Sequence, residues 1–391
     1  MMDFNPTLNG WNDYFTNATS GNLETGKGFC MRTNANSAVS FTGFLQAGNQ
    51  PASYLSDEKW NCIGNPYTSA IGINLGSSSD RHFLVENADI LDPLYGAIYV
   101  WDQPDDNNGM PGMYTVISNI SDPFTVQQGQ AYLVKLRSGV NSISYNAQMQ
   151  IHEPALALKS TKATLPTIKL KASGNSVQAS TMIAFKNGMS KGLDPTYDAG
   201  MYKGTADLMV YSRLVEDNGI PFAIQALPDN EYNSLIIPIG LDYISGGEIT
   251  FSCEFINLSS ECKVILEDKQ SKTFTDLTTK VYTTSIGSNA NISDRFYIHT
   301  SYLTTGVDLD SQSGKLNAYA IRNIELIVQG NLSDQAVASL YDVLGRLILT
   351  KKLEAADSRN SIKLPSLKTG IYMLYVRDNG KEFGFKVPVK E

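Results

Sequence analysis

A serine flanked by glycines is the part of this sequence closest to a catalytic motif. Gly188, Ser190 and Gly192 match the G-x-S-x-G pattern, in which a serine nucleophile stands at a sharp turn from strand to helix. Pro195 follows too closely for that helix to form. His299 is the only histidine downstream of Ser190 that could act as its base. We therefore predict a glycine-rich loop between strands and no catalytic residue.

Histidine and cysteine chemistry has little other support. His152 and His299 each end a strand-like run, and neither has a candidate nucleophile nearby in sequence. The cysteines form no C-x-x-C pair and no Cys/His cluster, so a zinc site is not expected. Cys253 and Cys262 lie on two strand-like runs joined by a short segment. They could form a cross-strand disulfide or remain two free buried thiols, because spacing does not decide connectivity.

An acidic turn at residues 102–109 is the best metal candidate. Its Asp102, Asp105 and Asp106 offer the oxygen atoms that Ca²⁺ prefers. The spacing does not fit an EF-hand loop, however, and Asp, Asn, Gly and Pro are also typical of a solvated turn. We predict no metal and no cofactor, and keep calcium at these three residues as the alternative.

Short β-strands must position these groups. Runs rich in β-branched and aromatic residues recur from residue 28 to about residue 152, with turn-forming Gly, Pro, Asn and Asp between them. Similar runs follow to about residue 299. This spacing indicates an all-β chain with tandem β-sandwich or jelly-roll-like domains. We place one domain at residues 1–155, a second at 156–305 and a third at 306–391.

Aromatic residues are frequent in the first predicted domain. Exposed aromatics on a β face can stack on sugars or anchor a protein partner. They more often fill a sandwich core. Tyr99 and Trp101 lie two residues apart on one strand-like run and therefore share a face, which is consistent with core packing.

The last seventy or so residues carry the clearest pattern. Four runs alternate apolar and polar residues, as in Ile324–Val328 and Ile371–Val376, which predicts strands with one buried face. The segments between them contain turn residues. Asp342 to Gly345 suits a type I turn, and Asn379-Gly380 is a strong hairpin signal.

This C-terminal region also resembles a known family. Residues 340–346 (LYDVLGR), residues 367–374 (LKTGIYML) and the lysine-bearing last strand closely resemble the C-terminal sorting domain of type IX secretion cargo. The resemblance implies a small immunoglobulin-like sandwich that export machinery in the outer membrane of a Gram-negative bacterium recognises. The residues that it marks as the sorting motif are Asp342, Gly345, Arg346, Gly370, Ile371, Tyr372 and Lys386. Upstream segments resemble the adhesin-like regions of large surface proteins of this export class.

Composition limits the function. The net charge of −8 disfavours nucleic-acid binding, which depends on Lys and Arg neutralising phosphates. No apolar run approaches the roughly 20 residues that span a bilayer. The sequence starts without a basic and apolar leader, so we expect it to be the C-terminal part of a longer exported precursor or a trimmed form of one.

We predict a non-enzymatic protein, secreted or held at the cell surface, with an adhesin-like or other binding role. Its expected partners are the export machinery and a surface glycan or protein ligand. Two alternatives remain open. The chain could be the ancillary tail of a secreted hydrolase, or its first domain could be a carbohydrate-binding module.

Overall fold

The computed structural model describes the greater part of the chain, and the described residues are almost all in strands and turns. The ranges are residues 2–12, 23–31, 42–52, 55–74, 82–102, 112–151, 165–204, 206–216, 219–230, 235–259, 262–302, 316–321, 325–330, 332–342, 344–355 and 359–389. The predicted all-β class is confirmed. Both predicted domain boundaries, after residues 155 and 305, lie outside the described residues and stay predictions.

The fold divides into two compact units. Unit 1 comprises Met1–Asp229, Ile239–Asn257 and Thr283–Ser293, and unit 2 comprises Asn230–Pro238, Leu258–Tyr282 and Asp294–Glu391. Each unit therefore collects segments that are distant in sequence, as expected for β structure built from long-range pairing.

The region up to residue 151 consists of short strands joined by turns. The strands are β1 (Met2–Asn5), β2 (Gly10–Trp11), β3 (Phe29–Cys30), β4 (Gln50–Ala52), β5 (Trp60–Gly64), β6 (Ala70–Gly72), β7 (Ile98–Asp102), β8 (Met113–Ile117), β9 (Thr125–Val126), β10 (Ala131–Lys135), β11 (Ile143–Tyr145) and β12 (Gln150–Ile151). One helical turn, α1, covers Phe83–Glu86, and 3-10 turns cover Pro93–Tyr95 and Ala147–Met149. The strands pair as β2-β1-β3, β5-β10-β7-β8, β11-β4 and β12-β6-β9.

The sheet β5-β10-β7-β8 is buried on both faces. Ile98 and Val134 belong to a core formed with β4, β6, β11 and α1, whereas their neighbours Tyr99 and Leu133 belong to a second core on the opposite face. Successive residues of a strand point to opposite faces, so each strand supplies both cores. This double burial explains why these strands read as nearly continuous apolar runs.

Longer strands follow from residue 167 to residue 302. They are β13 (Thr167–Gly174), β14 (Val177–Phe185), β15 (Ala199–Gly200), β16 (Leu208–Ser212), β17 (Phe222–Leu227), β18 (Ile236–Tyr243), β19 (Gly247–Ile256), β20 (Cys262–Asp268), β21 (Thr273–Asp276), β22 (Tyr282–Ile286) and β23 (Ala290–Tyr302). In unit 1 the order is β18-β16-β17-β14-β13-β19-β22, with β15 beside β17. In unit 2, β20 lies between β21 and β23.

Unit 1 joins its early and later strands through a close contact. The Tyr99 hydroxyl donates to the carbonyl oxygen of Gly200 at 2.6 Å, and the backbone N–H of Asn119 donates to the carbonyl of Thr196 at 2.9 Å. A Cβ at Gly96 would lie 2.8 Å from the Thr196 nitrogen, so this approach requires a glycine. The second core contains Tyr99 and Leu133 together with Ala184 and Ile224 from the later strands. The strands on either side of residue 155 thus share one core.

The C-terminal module follows in unit 2. Its strands are β24 (Asn317–Ile321), β25 (Glu325–Gln329), β26 (Val337–Asp342), β27 (Leu347–Lys352), β28 (Arg359–Lys363), β29 (Gly370–Asp378) and β30 (Lys381–Val389). They form two sheets, β24-β25-β28 and β27-β26-β29-β30. Leu326, Val328 and Ile362 of the first sheet share a core with Leu340, Leu374 and Val376 of the second. The immunoglobulin-like topology stays a prediction.

No helix in the described part of the chain is long and apolar enough to cross a membrane.

Candidate sorting and binding surfaces

Three of the predicted sorting residues build one turn between β26 and β27. The Asp342 Oδ1 atom accepts the backbone N–H groups of Leu344 and Arg346, each at 2.9 Å, and Oδ2 accepts the Arg346 Nε–H at 2.6 Å. Gly345 adopts φ of +78°, where a side chain would strain the backbone. The backbone hydrogen bond from Arg346, with the others, holds the pKa of Asp342 below its usual range. The turn is therefore fixed, and it presents Leu344 at its tip.

The outer surface of β27-β26-β29-β30 carries a group of accessible apolar side chains. We call it the open face and define it by Tyr341, Leu347, Ile371, Met373 and Tyr375. Tyr341 lies opposite Leu347 on one side and Met373 on the other, and its ring contacts the Tyr375 ring edge to face at 5.7 Å. Leu347 is 55% exposed and Ile371 42%. Leu344, at the tip of the turn between β26 and β27, is 76% exposed.

The other predicted sorting residues have different positions. Tyr372 packs in the module core and donates its hydroxyl proton to the Lys368 carbonyl at 2.9 Å. A Cβ at Gly370 would make only ordinary contacts, so no steric reason requires glycine there. Lys386 lies on β30 opposite Met373. Of the predicted residues whose side chains the structure describes, Ile371 belongs to the open face.

The motif resemblance did not identify Leu344, Leu347 or Tyr375 as functional residues. A signal for the first was present, because leucine is an unusual residue at the tip of a tight turn, where Gly, Asn, Asp and Ser dominate. Leu347 and Tyr375 each occupy the outward position of an alternating strand. That pattern alone does not mark them as different from ordinary surface residues.

Trp101 is an aromatic side chain of unit 1 that is about half exposed. Tyr99 is fully buried, as its predicted core role requires, but Trp101 is 53% exposed at the end of β7. Its ring contacts Tyr114 edge to face at 5.1 Å, and Tyr114 contacts Tyr202 at 5.0 Å. Tyr202 in turn contacts Trp60 at 4.8 Å. The predicted core packing therefore fails for Trp101, because the shared core ends before the strand does.

The predicted calcium turn lies largely outside the described residues. Asp102 is exposed at the end of β7, while Asp105 and Asp106 are among the residues not described. Within the described ranges, no group of three or more His, Cys, Asp or Glu side chains is placed to hold a metal ion. Calcium binding at this turn stays a prediction.

The Gly188–Gly192 segment is a hydrogen-bonded loop. The Asp194 Oδ2 atom accepts from the Ser190 backbone N–H at 2.7 Å and from its hydroxyl at 3.1 Å. Asp198 in turn accepts the backbone N–H groups of Asp194, at 2.6 Å, and of Ala226, at 2.7 Å. Burial raises the pKa of Asp198 to about 7, despite these hydrogen bonds. The serine hydroxyl thus organises its own loop.

The described histidine and cysteine candidates make contacts that are typical of structural residues. His299 Nε2 lies 2.7 Å from Glu267 Oε2, and His152 lies outside the described residues. All four cysteines are free thiols, so the disulfide proposed between Cys253 and Cys262 is not formed. The reason lies in the pairing: Cys253 on β19 lies opposite Leu170, and Cys262 on β20 lies opposite Tyr302.

Comparison with known families assigns most of the chain. A family model described as a domain of unknown function, DUF8693, matches residues 1–300. The chain belongs to the DUF8693 family. A second model, the secretion system C-terminal sorting domain, matches residues 322–390 and covers the turn and the open face. The resemblance to type IX secretion cargo is therefore confirmed, and the chain is exported to the cell surface or the extracellular space.

The remaining comparisons add little to the DUF8693 assignment. No curated protein matches the chain. A solved structure described as the BSP domain of a biofilm-associated protein aligns with 10% identity, over 88% of this chain and 66% of its own length. The TM-score of that alignment is 0.24, so no conclusion about this chain follows from it.

Proposed function

We propose that this protein is a non-enzymatic surface protein that binds a glycan or protein ligand through its DUF8693 domain. We further propose that the export machinery recognises it through the open face of the sorting module. The single observation that carries the second part is the exposure of Leu344 and Leu347 beside Tyr341 and Ile371. Contiguous exposed apolar surface costs solubility and commonly marks a site of interaction with another protein.

The turn supports this role because it is rigid. Its main-chain hydrogen bonds and the Asp342–Arg346 pair fix the position of Leu344 before any partner arrives. A preorganised anchor loses little conformational entropy on binding. Asp342, Gly345 and Arg346 thus act by shaping the turn, while Leu344 and Leu347 make the apolar contact.

Ligand binding is assigned to the end of β7. Trp101 offers a large apolar ring and an indole N–H, and its contact with Tyr114 restricts its orientation. Exposed aromatic rings of this kind stack on sugar faces and also anchor protein partners. An adhesin-like role fits a protein that is carried to the outside of the cell.

Deleting residues 320–391 from the full precursor tests the export role. We expect the truncated protein to accumulate inside the cell envelope and to be lost from the cell surface, measured by surface labelling and fractionation. Normal arrival of the truncated protein at the surface would refute the assignment.

A glycan array probed with the full chain tests the binding role. We expect selective binding that Trp101→Ala abolishes and that Leu23→Ala, a truncation of another exposed apolar residue, leaves intact. A flat array would redirect the search to protein ligands on host or bacterial surfaces, with the same two variants. Binding to neither class, or chemical turnover of a bound glycan, would contradict a non-enzymatic binding protein.

A further inference from the structure

The sheet β24-β25-β28 of the sorting module is partly covered on its outer surface. We call this surface the covered face and define it by Tyr319, Ile327 and Arg359, which lie on β24, β25 and β28. Ile327 is fully buried although it does not belong to the module core. Its neighbours in the sheet are Tyr319 and Ser361. The Tyr319 hydroxyl and the Arg359 Nε are also buried.

Residues of the DUF8693 domain provide the cover. The Arg359 guanidinium carbon lies 5.1 Å from the centre of the Phe274 ring on β21. Arg359 Nη1 lies 3.5 Å from Oε1 of Glu267 on β20. The His299 ring on β23 lies 6.4 Å from the Tyr319 ring. Three adjacent strands of unit 2 therefore contact the covered face with one apolar and two polar side chains.

The charges at this contact are matched. Burial opposes ionisation of Glu267, but the hydrogen bond with His299 and the charge of Arg359, among other interactions, outweigh it, so the pKa of Glu267 lies below its usual range. Burial raises the pKa of Tyr319 to about 12, and the Arg359 guanidinium limits that rise. A buried carboxylate needs such partners, because removing one of them leaves an uncompensated charge.

We propose that β20, β21 and β23 of the DUF8693 domain form a docking site for the sorting module of the same chain. Glu267, held by His299, is the polar anchor for Arg359, and Phe274 is the apolar anchor. Docking through the covered face fixes the module and leaves its other sheet accessible. The use of that accessible sheet for recognition rests on the proposed function of the open face. The docking itself does not depend on that proposal.

Hydrogen–deuterium exchange of the full chain tests the docking. We expect Arg359→Gln and Glu267→Gln each to speed exchange in peptides from β24 and β25 by roughly tenfold, because each removes the ion pair between the module and β20. The double variant should exchange more slowly than the product of the two single effects predicts, since the two changes remove one shared interaction. Lys363→Gln, an exposed position on the same strand as Arg359, is the matched control and should have no effect.

Exchange elsewhere separates undocking from unfolding. Peptides from β29 and β30 should keep their wild-type protection in every variant if the module core remains intact. Phe274→Ala, which changes no charge, should reproduce the faster exchange in β24 and β25. Wild-type exchange in Arg359→Gln, Glu267→Gln and Phe274→Ala would overturn the docking proposal, as would single effects that simply multiply. Because this readout needs no export, it can fail while the role of the open face stands.

Discussion

The two outer faces of the sorting module differ in what lies against them. The covered face of β24-β25-β28 contacts Phe274, Glu267 and His299, while the open face of β27-β26-β29-β30 has no such cover among the described residues. Both sheets share one core. The difference therefore comes from what lies against each face, and it is the basis for proposing that one face docks and the other is recognised.

A pair of isoleucines shows the contrast most simply. Ile327 and Ile371 each occupy an outward position of a strand in the module, yet Ile327 is fully buried and Ile371 is 42% exposed. The side-chain chemistry is identical. The neighbouring elements alone decide which of the two contributes to stability.

Truncating each isoleucine to alanine should give the largest difference between the two faces, measured as the free energy of unfolding. Ile327→Ala should lower the free energy of unfolding by about 2–4 kcal/mol, because it leaves a cavity between packed surfaces. Ile371→Ala should change it by less than about 0.5 kcal/mol, as is usual at an exposed site. Urea denaturation of the two variants measures both values. Equal losses would mean that the two faces are equally covered.

Acid should have an intermediate effect: it should lower the stability of β20, one of the strands that lie against the covered face. Asp268 on β20 is buried, which opposes ionisation, but hydrogen bonds from Arg295 and Tyr282 outweigh burial and lower its pKa to about 2. A carboxyl with a lowered folded-state pKa stabilises the fold above its unfolded pKa and loses that contribution as pH falls towards the folded value.

Unfolding measured between pH 5 and pH 2 therefore should show a loss on the order of 2 kcal/mol that is due to Asp268. Asp268→Asn should be less stable at pH 5 and should lack this part of the pH dependence. Asp334→Asn, which removes an exposed carboxyl of the module, provides the control. If both variants follow the wild-type pH curve, Asp268 does not support this unit.

The open face should contribute least to stability. The Tyr341 and Tyr375 rings of this face are in edge-to-face contact, and such a pair contributes about 0.5–1.5 kcal/mol. A double-mutant cycle with Tyr341→Leu and Tyr375→Leu measures this coupling by urea denaturation. A coupling well above that range would indicate that the face is structural, and would weaken its assignment as a recognition surface.

The sequence predicted much of this module and little of its surroundings. Alternation identified the strands, and Asp342 with Gly345 identified the turn, because both signals are local. Leu326, Ile327 and Val328 form a continuous apolar run, which is typical of a strand buried on both faces. This run therefore indicates that the covered face is buried. The sequence analysis instead treats Ile324–Val328 as an alternating strand with only one buried face.

Contacts between distant segments could not be predicted. Nothing local to Glu267 or Arg359 indicates that they meet, and the same holds for Tyr99 and Gly200 in unit 1. Of the two alternatives for Cys253 and Cys262, the structure has the free thiols, for a related reason. Cys253 and Cys262 are close in sequence, but their strands pair with β13 and β23, which no local pattern specifies.

Surface delivery of the precursor that carries Leu344→Asp and Leu347→Asp tests the central claim most directly. Both side chains are exposed, so the variant should fold normally. Urea denaturation of the purified variant chain can confirm this. We predict at least a tenfold loss of protein at the cell surface, because a charge on each anchor opposes burial against a receptor. Lys363→Asp, an exposed position on β28, should be delivered normally. Normal delivery of the double variant would contradict recognition through the open face.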